Sequence, residues 1–159
     1  MPRFIIDYKA LDLDPNNAVM GAEGIEAINP HRYEFKLLDK ILYFNNEDYT
    51  AIGYYEVRED QFWCRGHIPG RPLFPGVLQI EAAAQLSSVL GKHSGLIGDD
   101  KFFGLVGFNN IKYRRQVVPG DNLIILGHLK ENARISKFEF QTVVNDKLVN
   151  QGEILGTLF

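Results

Sequence analysis

Several residue types and patterns are scarce in this chain, and each scarcity narrows the class of protein. Cys64 is the single cysteine among 159 residues, so no intrachain disulfide can form and a reducing compartment, the cytoplasm, is expected. No apolar run reaches membrane-spanning length, and the N-terminus lacks the apolar core of a secretory signal. The chain has 17 Lys and Arg against 20 Asp and Glu, so the basic excess typical of nucleic-acid binders is missing. These features disfavour nucleic acid and membranes as partners.

What the chain does contain is enough apolar sequence for one globular domain. A hydrophobic content of 45% in 159 residues supports a single core, and there are no repeats or low-complexity tracts. We expect this domain at residues 25–159, after an N-terminal extension, residues 1–24, that packs on the domain or frays. The pattern predicts a short helix at 22–28, a long helix from 77, a hairpin turn at Asn145-Asp146, and six strands at 37–44, 50–58, 102–115, 123–129, 135–144 and 148–158. The predicted fold class is α+β.

The most informative stretch is residues 66–85, which reads GHIPGRPLFPGVLQIEAAAQ. Its first half is rich in Gly and Pro, which predicts an irregular loop. Pro75 suits the first position of a helix, and Gly91 is the expected stop. This helix is apolar nearly all round, which predicts burial, yet it carries Glu81.

This stretch resembles the signature of the FabZ-type 3-hydroxyacyl-acyl-carrier-protein dehydratases, G-H-F-P-x-x-P-x-x-P-G-V-L-x-x-E-A-x-A-Q, and departs from it only at Ile68. Residues 30–39, PHRYEFKLLD, resemble the family's P-H-R-Y-P-F-x-L-x-D, with Glu34 in place of Pro. Residues 107–121, GFNNIKYRRQVVPGD, resemble its D-N-x-K-F-R-R-P-V-x-P-G-D, with departures at Asn109 and Gln116. The resemblance covers about residues 25–125.

The resemblance implies a hot-dog fold, an antiparallel sheet wrapped around one long helix, paired as a homodimer and in some cases as a trimer of dimers. It implies dehydration of (3R)-3-hydroxyacyl-carrier-protein thioesters to trans-2-enoyl products in fatty-acid or related lipid or polyketide synthesis, with no metal or redox cofactor. The partner would be an acyl carrier protein. Its acidic surface would need a basic patch, for which Lys112, Arg114 and Arg115 are the best cluster; ordinary solvated strand charges are an equal interpretation.

The chemistry requires a base, an acid and a site for negative charge. A histidine with an ordinary pKa near 6.5 is mostly neutral at pH 7, so His67 suits removal of the C2 proton. Glu81 suits protonation of the departing hydroxyl, since desolvation on an apolar helix is expected to raise its pKa. Gln85 lies four residues on, on the same helix face, and by resemblance helps to position water. The amides of Gly76 and Val77 at the helix N-terminus are candidates to hold the thioester oxygen.

About 9 Å of helix separates Pro75 from Glu81 at 1.5 Å per residue. The resemblance explains this separation by a site shared between two subunits, with His67 from one and Glu81 from the other. Ile68 and Phe74 are then candidates to line an acyl tunnel.

Other interpretations of the same residues remain open. His31 is interpreted as structural rather than as a second base, and Cys64 as a packing residue rather than a nucleophile. A dehydratase that also isomerises the double bond is disfavoured, because that sister family usually has Asp where Glu81 stands. A hot-dog acyl thioesterase and a non-catalytic acyl-binding module are the remaining alternatives.

Overall fold

Six antiparallel strands in one sheet form the largest element of the computed structural model, which describes residues 3–159. The elements in chain order are α1 (Ala22–Ile28), β1 (Lys40–Asn45), β2 (Thr50–Glu56), α2 (Gly76–His93), β3 (Phe103–Tyr113), β4 (Asn122–Glu131), β5 (Ser136–Val144) and β6 (Lys147–Leu158). Short 3-10 turns occupy Tyr8–Ala10, Pro15–Asn17 and Tyr33–Phe35. All six predicted strands and both predicted helices are present, so the α+β prediction is confirmed.

The sheet has the strand order β1-β2-β4-β5-β6-β3, and every neighbouring pair is antiparallel. The tight turn between β5 and β6 has positive φ at Asn145 (47°) and Asp146 (60°), as the sequence predicted. Strand β3 returns to the far side of β6 and forms one edge of the sheet. This sheet with one long helix against it is the hot-dog fold.

Helix α2 packs along one face of the sheet and supplies much of the core. Leu86, Val89 and Leu90 have no exposed surface. Close approach to the sheet depends on Gly127 of β4, where an added Cβ would lie 3.1 Å from Cδ2 of Leu86 on α2 and 2.3 Å from the Phe138 ring of β5. Within residues 3–159, no helix combines the length and the apolar character that crossing a membrane needs.

The end of α2 differs from the prediction. The helix does not stop at Gly91 but continues to His93. Gly91 has a different role, because a Cβ there would lie 2.4 Å from Cδ1 of Ile97. The carbonyl of Gly91 also accepts hydrogen bonds from the N–H groups of Leu96 and Ile97, at 2.9 and 3.0 Å. The glycine therefore permits close packing of the chain after the helix.

The N-terminal extension covers the other face of the sheet. Successive strand residues point to opposite faces, so Ile41, Ala51 and Ile125 lie in the α2 core, whereas their neighbours face away from it. Those neighbours form a second cluster with the extension: Leu42, Ile52, Leu126 and Val143 pack with Tyr8, Phe4, Ile5, Ile6, Leu11 and Leu13. Thus the described part of the extension packs on the domain.

Polar contacts hold the extension in register. The N–H of Ile5 donates to Gln141 Oε1 at 2.8 Å, and Gln141 Nε2 donates to the Arg3 carbonyl at 3.1 Å. The Tyr8 hydroxyl donates to Asp146 Oδ1 at 2.9 Å. Burial, followed by this contact with Asp146, raises the pKa of Tyr8 to about 12.

Candidate active site

His67 lies on the irregular loop before α2, where its ring is fixed by the backbone. Its Nδ1 is 2.8 Å from the carbonyl oxygen of Leu73. Because a carbonyl can only accept, Nδ1 carries the proton in the neutral ring and Nε2 keeps a free lone pair. The side chain is exposed. The loop therefore presents His67 in the tautomer that can accept a proton at Nε2.

Glu81 lies one and a half turns into α2, with its side chain 28% exposed. Its Oε1 is 3.0 Å from Gln85 Nε2 and 3.4 Å from His31 Nε2. Burial alone raises the pKa of Glu81, but the contacts with His31 and Gln85 outweigh it, so the pKa lies below its ordinary value. The sequence expectation of a raised pKa was wrong, because apolar neighbours along the helix do not reveal polar neighbours from another segment.

Gln85 connects Glu81 to the segment before β1. Its side chain is 2% exposed. Oε1 accepts from the N–H of Leu37 at 3.1 Å, and Nε2 donates to the Phe35 carbonyl at 2.8 Å as well as to Glu81. Gln85 thus lies beside Glu81 and also fixes residues 35–37 against the helix, whereas its role in positioning water stays a prediction.

The first turn of α2 offers free amide donors. Among the residues that the structure describes, the N–H groups of Gly76 and Val77 have no hydrogen-bond acceptor, whereas those of Leu78 and Gln79 donate to the Pro75 carbonyl at 3.0 and 3.1 Å. Val77 is 72% exposed, so this end of the helix is open. Gly76 also has a packing role, since a Cβ there would lie 2.8 Å from the Tyr113 ring.

A cavity of about 420 Å³ opens beside Glu81. It is largely apolar, and besides Glu81 it is lined by Pro30, His31, Ala84, Gln85, Ser88, Phe102, Phe103, Leu105, Ile154 and Phe159. His67 is not among these residues, so one chain does not bring its own His67 into the cavity that holds Glu81. This volume falls in the range of small-molecule sites.

The two acyl-tunnel candidates differ in their surroundings. Ile68 is 37% exposed beside His67. Phe74 is 3% exposed, and its ring packs on Trp63 and Tyr55, with centroid separations of 5.1 and 5.4 Å. The structure therefore gives Phe74 a place in the core, and an acyl-tunnel role for it stays a prediction. The apolar wall that does face Glu81 comes from β3 and β6, which local sequence could not connect to the helix.

The basic cluster is larger than the sequence indicated. Arg114 and Arg115 line a groove of about 720 Å³ together with Lys9 of the extension and Lys147 of β6. Lys9 also lies 3.6 Å from Asp146 in the same groove. Lys112 is exposed on β3 but does not line this groove. Lys9 and Lys147 were missed because they join the cluster only in three dimensions.

Cys64 has no feature of a nucleophile. Its Sγ lies 3.4 Å from the Arg58 carbonyl, and it packs partly against the α2 core. Burial is the main factor that raises the pKa of its thiol. A thiol held in its neutral form is a packing group, in line with the sequence interpretation.

The sheet and the long helix define a hot-dog protein. Its signature stretch, residues 66–85, contains a histidine and a glutamate, which are acid–base groups. The sequence model of the FabA-like domain matches residues 29–153. The chain belongs to this family, and the predicted resemblance to the FabZ-type dehydratases is confirmed at the level of the FabZ/FabA-type family. The matched range begins after the N-terminal extension.

Solved structures give the same fold. The dehydratase heterocomplex ApeI:P from Xenorhabdus doucetiae is similar with a TM-score of 0.70 and 17% identity, over 84% of this chain and 89% of that one. A hypothetical thioesterase with coenzyme A from Streptococcus pneumoniae has a TM-score of 0.57 and 12% identity, over 76% and 84%. A putative thioesterase, a phenylacetic acid degradation-related protein from Ralstonia eutropha, has 0.58 and 13%, over 73% and 81%. At such identities these likenesses establish the fold alone.

Proposed function

We propose that the protein dehydrates (3R)-3-hydroxyacyl thioesters carried on an acyl carrier protein, giving the trans-2-enoyl thioester and water. One observation carries this proposal. A FabA-like domain holds two side chains suited to acid–base chemistry: His67 has a free lone pair on Nε2, and Glu81 is held beside an apolar cavity. The elimination changes no overall oxidation state, so the proposed reaction uses no redox cofactor.

The proposed steps use the side chains and amide groups described above. His67 Nε2 takes the proton from C2 as the C2–H bond breaks, and the charge that develops on the thioester oxygen is held by the free amides of Gly76 and Val77. The C3–O bond breaks while Glu81, which holds the catalytic proton in the fraction of the enzyme in which His67 is neutral, gives that proton to the departing hydroxyl, which leaves as water. Exchange with solvent then returns the proton on His67 to Glu81. The acyl chain lies in the cavity beside Glu81, against Phe103 and Leu105.

The proposed site is shared between two copies of the chain. His67 does not line the cavity that holds Glu81, and β3 is a sheet edge with exposed apolar side chains. Leu105 and Val106 are each 51% exposed, and Phe108 is 44% exposed. Paired strand edges with apolar side chains are a common way for two copies to join. We propose a homodimer in which His67 of one copy completes the site of Glu81 in the other.

The carrier is proposed to dock near Arg114 and Arg115, with Lys112 on the adjoining strand. Arg114 and Arg115 directly follow Tyr113, whose ring packs against Gly76 at the start of α2. Arg71 Nη2 also donates to Gln116 Oε1 at 3.3 Å, which ties the His67 loop to the same segment. A carrier bound there would lie close to the loop. Its acidic surface would complement the exposed cations.

The test is hydration of a trans-2-enoyl thioester on its carrier, followed by loss of enoyl absorbance. We expect His67→Ala and Glu81→Gln each to lose at least roughly 100-fold in kcat, the range of a single acid or base. Circular dichroism would check that both variants fold. Wild-type binding without turnover would instead indicate an acyl-binding module, and release of free thiol would indicate the thioesterase that two similar folds suggest.

Mixing the two inactive variants tests the shared site. In a mixed dimer, one site combines an intact His67 with an intact Glu81 and the other site has neither. After random exchange of subunits about half of the dimers are mixed, and each mixed dimer has one working site out of two. Exchange should therefore restore about one quarter of wild-type activity. No recovery after confirmed subunit exchange would contradict a shared site.

A further inference from the structure

We propose that His31 is a positioning residue for Glu81: it holds one carboxylate oxygen, directs the acid proton to the other oxygen, and strengthens Glu81 as the proton donor. This inference rests on the proposed function. The signature of residues 66–85 does not contain His31, which lies 50 positions before Glu81. From the sequence, His31 is interpreted as a structural residue.

The two donors to Glu81 reach the same oxygen. His31 Nε2 lies 3.4 Å from Oε1, and Gln85 Nε2 lies 3.0 Å from the same atom. An oxygen that accepts a hydrogen bond from Gln85 and has the His31 nitrogen at ion-pair distance is a poor place for the acid proton, so a protonated Glu81 carries its proton on Oε2. Oε2 is consequently the atom free to meet a substrate hydroxyl.

The His31 ring is held in a fixed orientation. It stacks on Phe35 with an interplanar angle of 13° and a centroid separation of 6.4 Å. Arg32 donates to the carbonyls of His31 and Asn29, each at 2.8 Å, which ties down the backbone on both sides. Phe35 is in turn fixed through its carbonyl by Gln85. His31 and Gln85 are therefore connected to each other through Phe35.

The tautomer of His31 also follows from its surroundings. Its Nδ1 is buried and has no partner among the residues that the structure describes. A buried N–H without an acceptor is rarer in proteins than an unpaired acceptor atom, so the neutral ring carries its proton on Nε2. That nitrogen is the one that lies 3.4 Å from Oε1 of Glu81. When Glu81 gives up its proton, the new carboxylate is stabilised by two donors already in place.

The charged groups around this pair come from one side. The segment before β1 and helix α1 contribute Arg32, the Lys36–Glu26 ion pair at 2.7 Å, and Asp39. On α2, Glu81 itself is the only titratable residue that lines the cavity, and the lining residues from β3 and β6 are apolar. His31 is therefore the cation-forming side chain in contact with Glu81.

Catalysis in both directions needs one proton shared between Glu81 and His67. The acid limb of the kcat/KM profile then reports Glu81. Contacts with His31 and Gln85 favour the ionised form of Glu81, so loss of His31 should raise the pKa of Glu81 and move the acid limb to higher pH.

Three variants separate the effect of the N–H donor of His31 from the effect of its ring packing on Phe35. His31→Phe keeps the stack on Phe35 but removes the donor, and His31→Gln keeps a neutral N–H donor without the ring. The control is His93→Phe, because His93 is also stacked, on Phe44 with centroids 3.8 Å apart, but lies at the far end of α2. For His31→Phe we expect a roughly 10- to 100-fold loss in kcat with little change in KM, because the carboxyl loses its orientation.

The deciding measurement is carbon-13 NMR titration of the Glu81 carboxyl without substrate, which does not depend on activity. We expect Glu81 to titrate at higher pH in His31→Phe than in wild type, with His31→Gln between them and His93→Phe unchanged. Unchanged titration in a folded His31→Phe protein would overturn the proposal even if the dehydratase function holds. If Glu81 titrates at higher pH in His31→Phe but the wild-type protein has no dehydratase activity, the His31–Glu81 contact is established and only the proposed function is refuted.

Discussion

Replacing Gln85 with leucine tests whether one buried amide holds the acid and the fold together. Leucine has nearly the same size, so the change removes polar contacts rather than volume. The side chain of Gln85 makes three hydrogen bonds, to the N–H of Leu37, to the Phe35 carbonyl and to Glu81. No other partner of the Leu37 N–H is present among the described residues.

The expected magnitude follows from the burial of these partners. Leu37 is 1% exposed, so its N–H is left unsatisfied at a cost of about 1–3 kcal/mol. Phe35 is 51% exposed, so its carbonyl can turn to water and loses only about 0.5–1.5 kcal/mol. The buried leucine side chain returns about 1 kcal/mol. These terms give a net decrease in the free energy of unfolding of about 2 kcal/mol, and loss of the bond to Glu81 adds to it.

Urea denaturation at fixed protein concentration, followed by fluorescence of the single tryptophan Trp63, measures this decrease, because Trp63 lies in the same core at 3% exposure. The matched control is Gln141→Leu, which also removes a glutamine that bonds two backbone groups, but at the extension. We expect Gln85→Leu to lose activity and Gln141→Leu to retain it. The reasoning is refuted if Gln85→Leu loses less than about 0.5 kcal/mol, the ordinary range of a surface substitution.

Three further predictions concern other parts of the molecule. The pKa of Tyr8 lies at about 12 in the folded protein against an ordinary 10, so the free energy of unfolding should fall as pH rises from 10 to about 12. Tyr8→Phe should reduce the slope of this fall, and an unchanged slope would contradict the reasoning. Gly127→Ala should cost about 1–3 kcal/mol in chemical denaturation, because its Cβ would meet the Phe138 ring at 2.3 Å, whereas Gly107→Ala, with Leu155 at 3.7 Å, should escape this clash. Val106→Lys should shift the protein towards monomer in sedimentation and lower its activity, and a fully dimeric variant would argue against pairing through β3.

The regular elements follow from local sequence to a large extent. Alternating apolar residues and turn residues placed all six strands within a few residues of their observed bounds. The hairpin at Asn145-Asp146 was predictable because these residue types tolerate positive φ, which both adopt. Helix α2 was placed by its uninterrupted apolar run, but its end was not, because Gly91 is selected by contact with Ile97 rather than by a local stop signal.

The site divides in the same way. The spacing of His67, Glu81 and Gln85 is a property of one continuous stretch, so the sequence alone could propose these residues as a candidate site. The pKa direction of Glu81 was predicted with the wrong sign, because it depends on His31, which comes from a segment 50 residues earlier. The place of Phe74 in the core has the same origin, since its partner Tyr55 belongs to strand β2, whereas Phe74 lies in the loop before α2.

What the sequence by itself determined is therefore periodic or contiguous: the six strands, the two helices, the loop histidine and the helical glutamate. Only the tertiary structure decided which histidine faces Glu81, which residues line its cavity, and that the extension packs over the second face of the sheet. Local conformation depends on neighbouring residues, whereas charge, burial and hydrogen bonding depend on every segment that folding brings within a few ångströms.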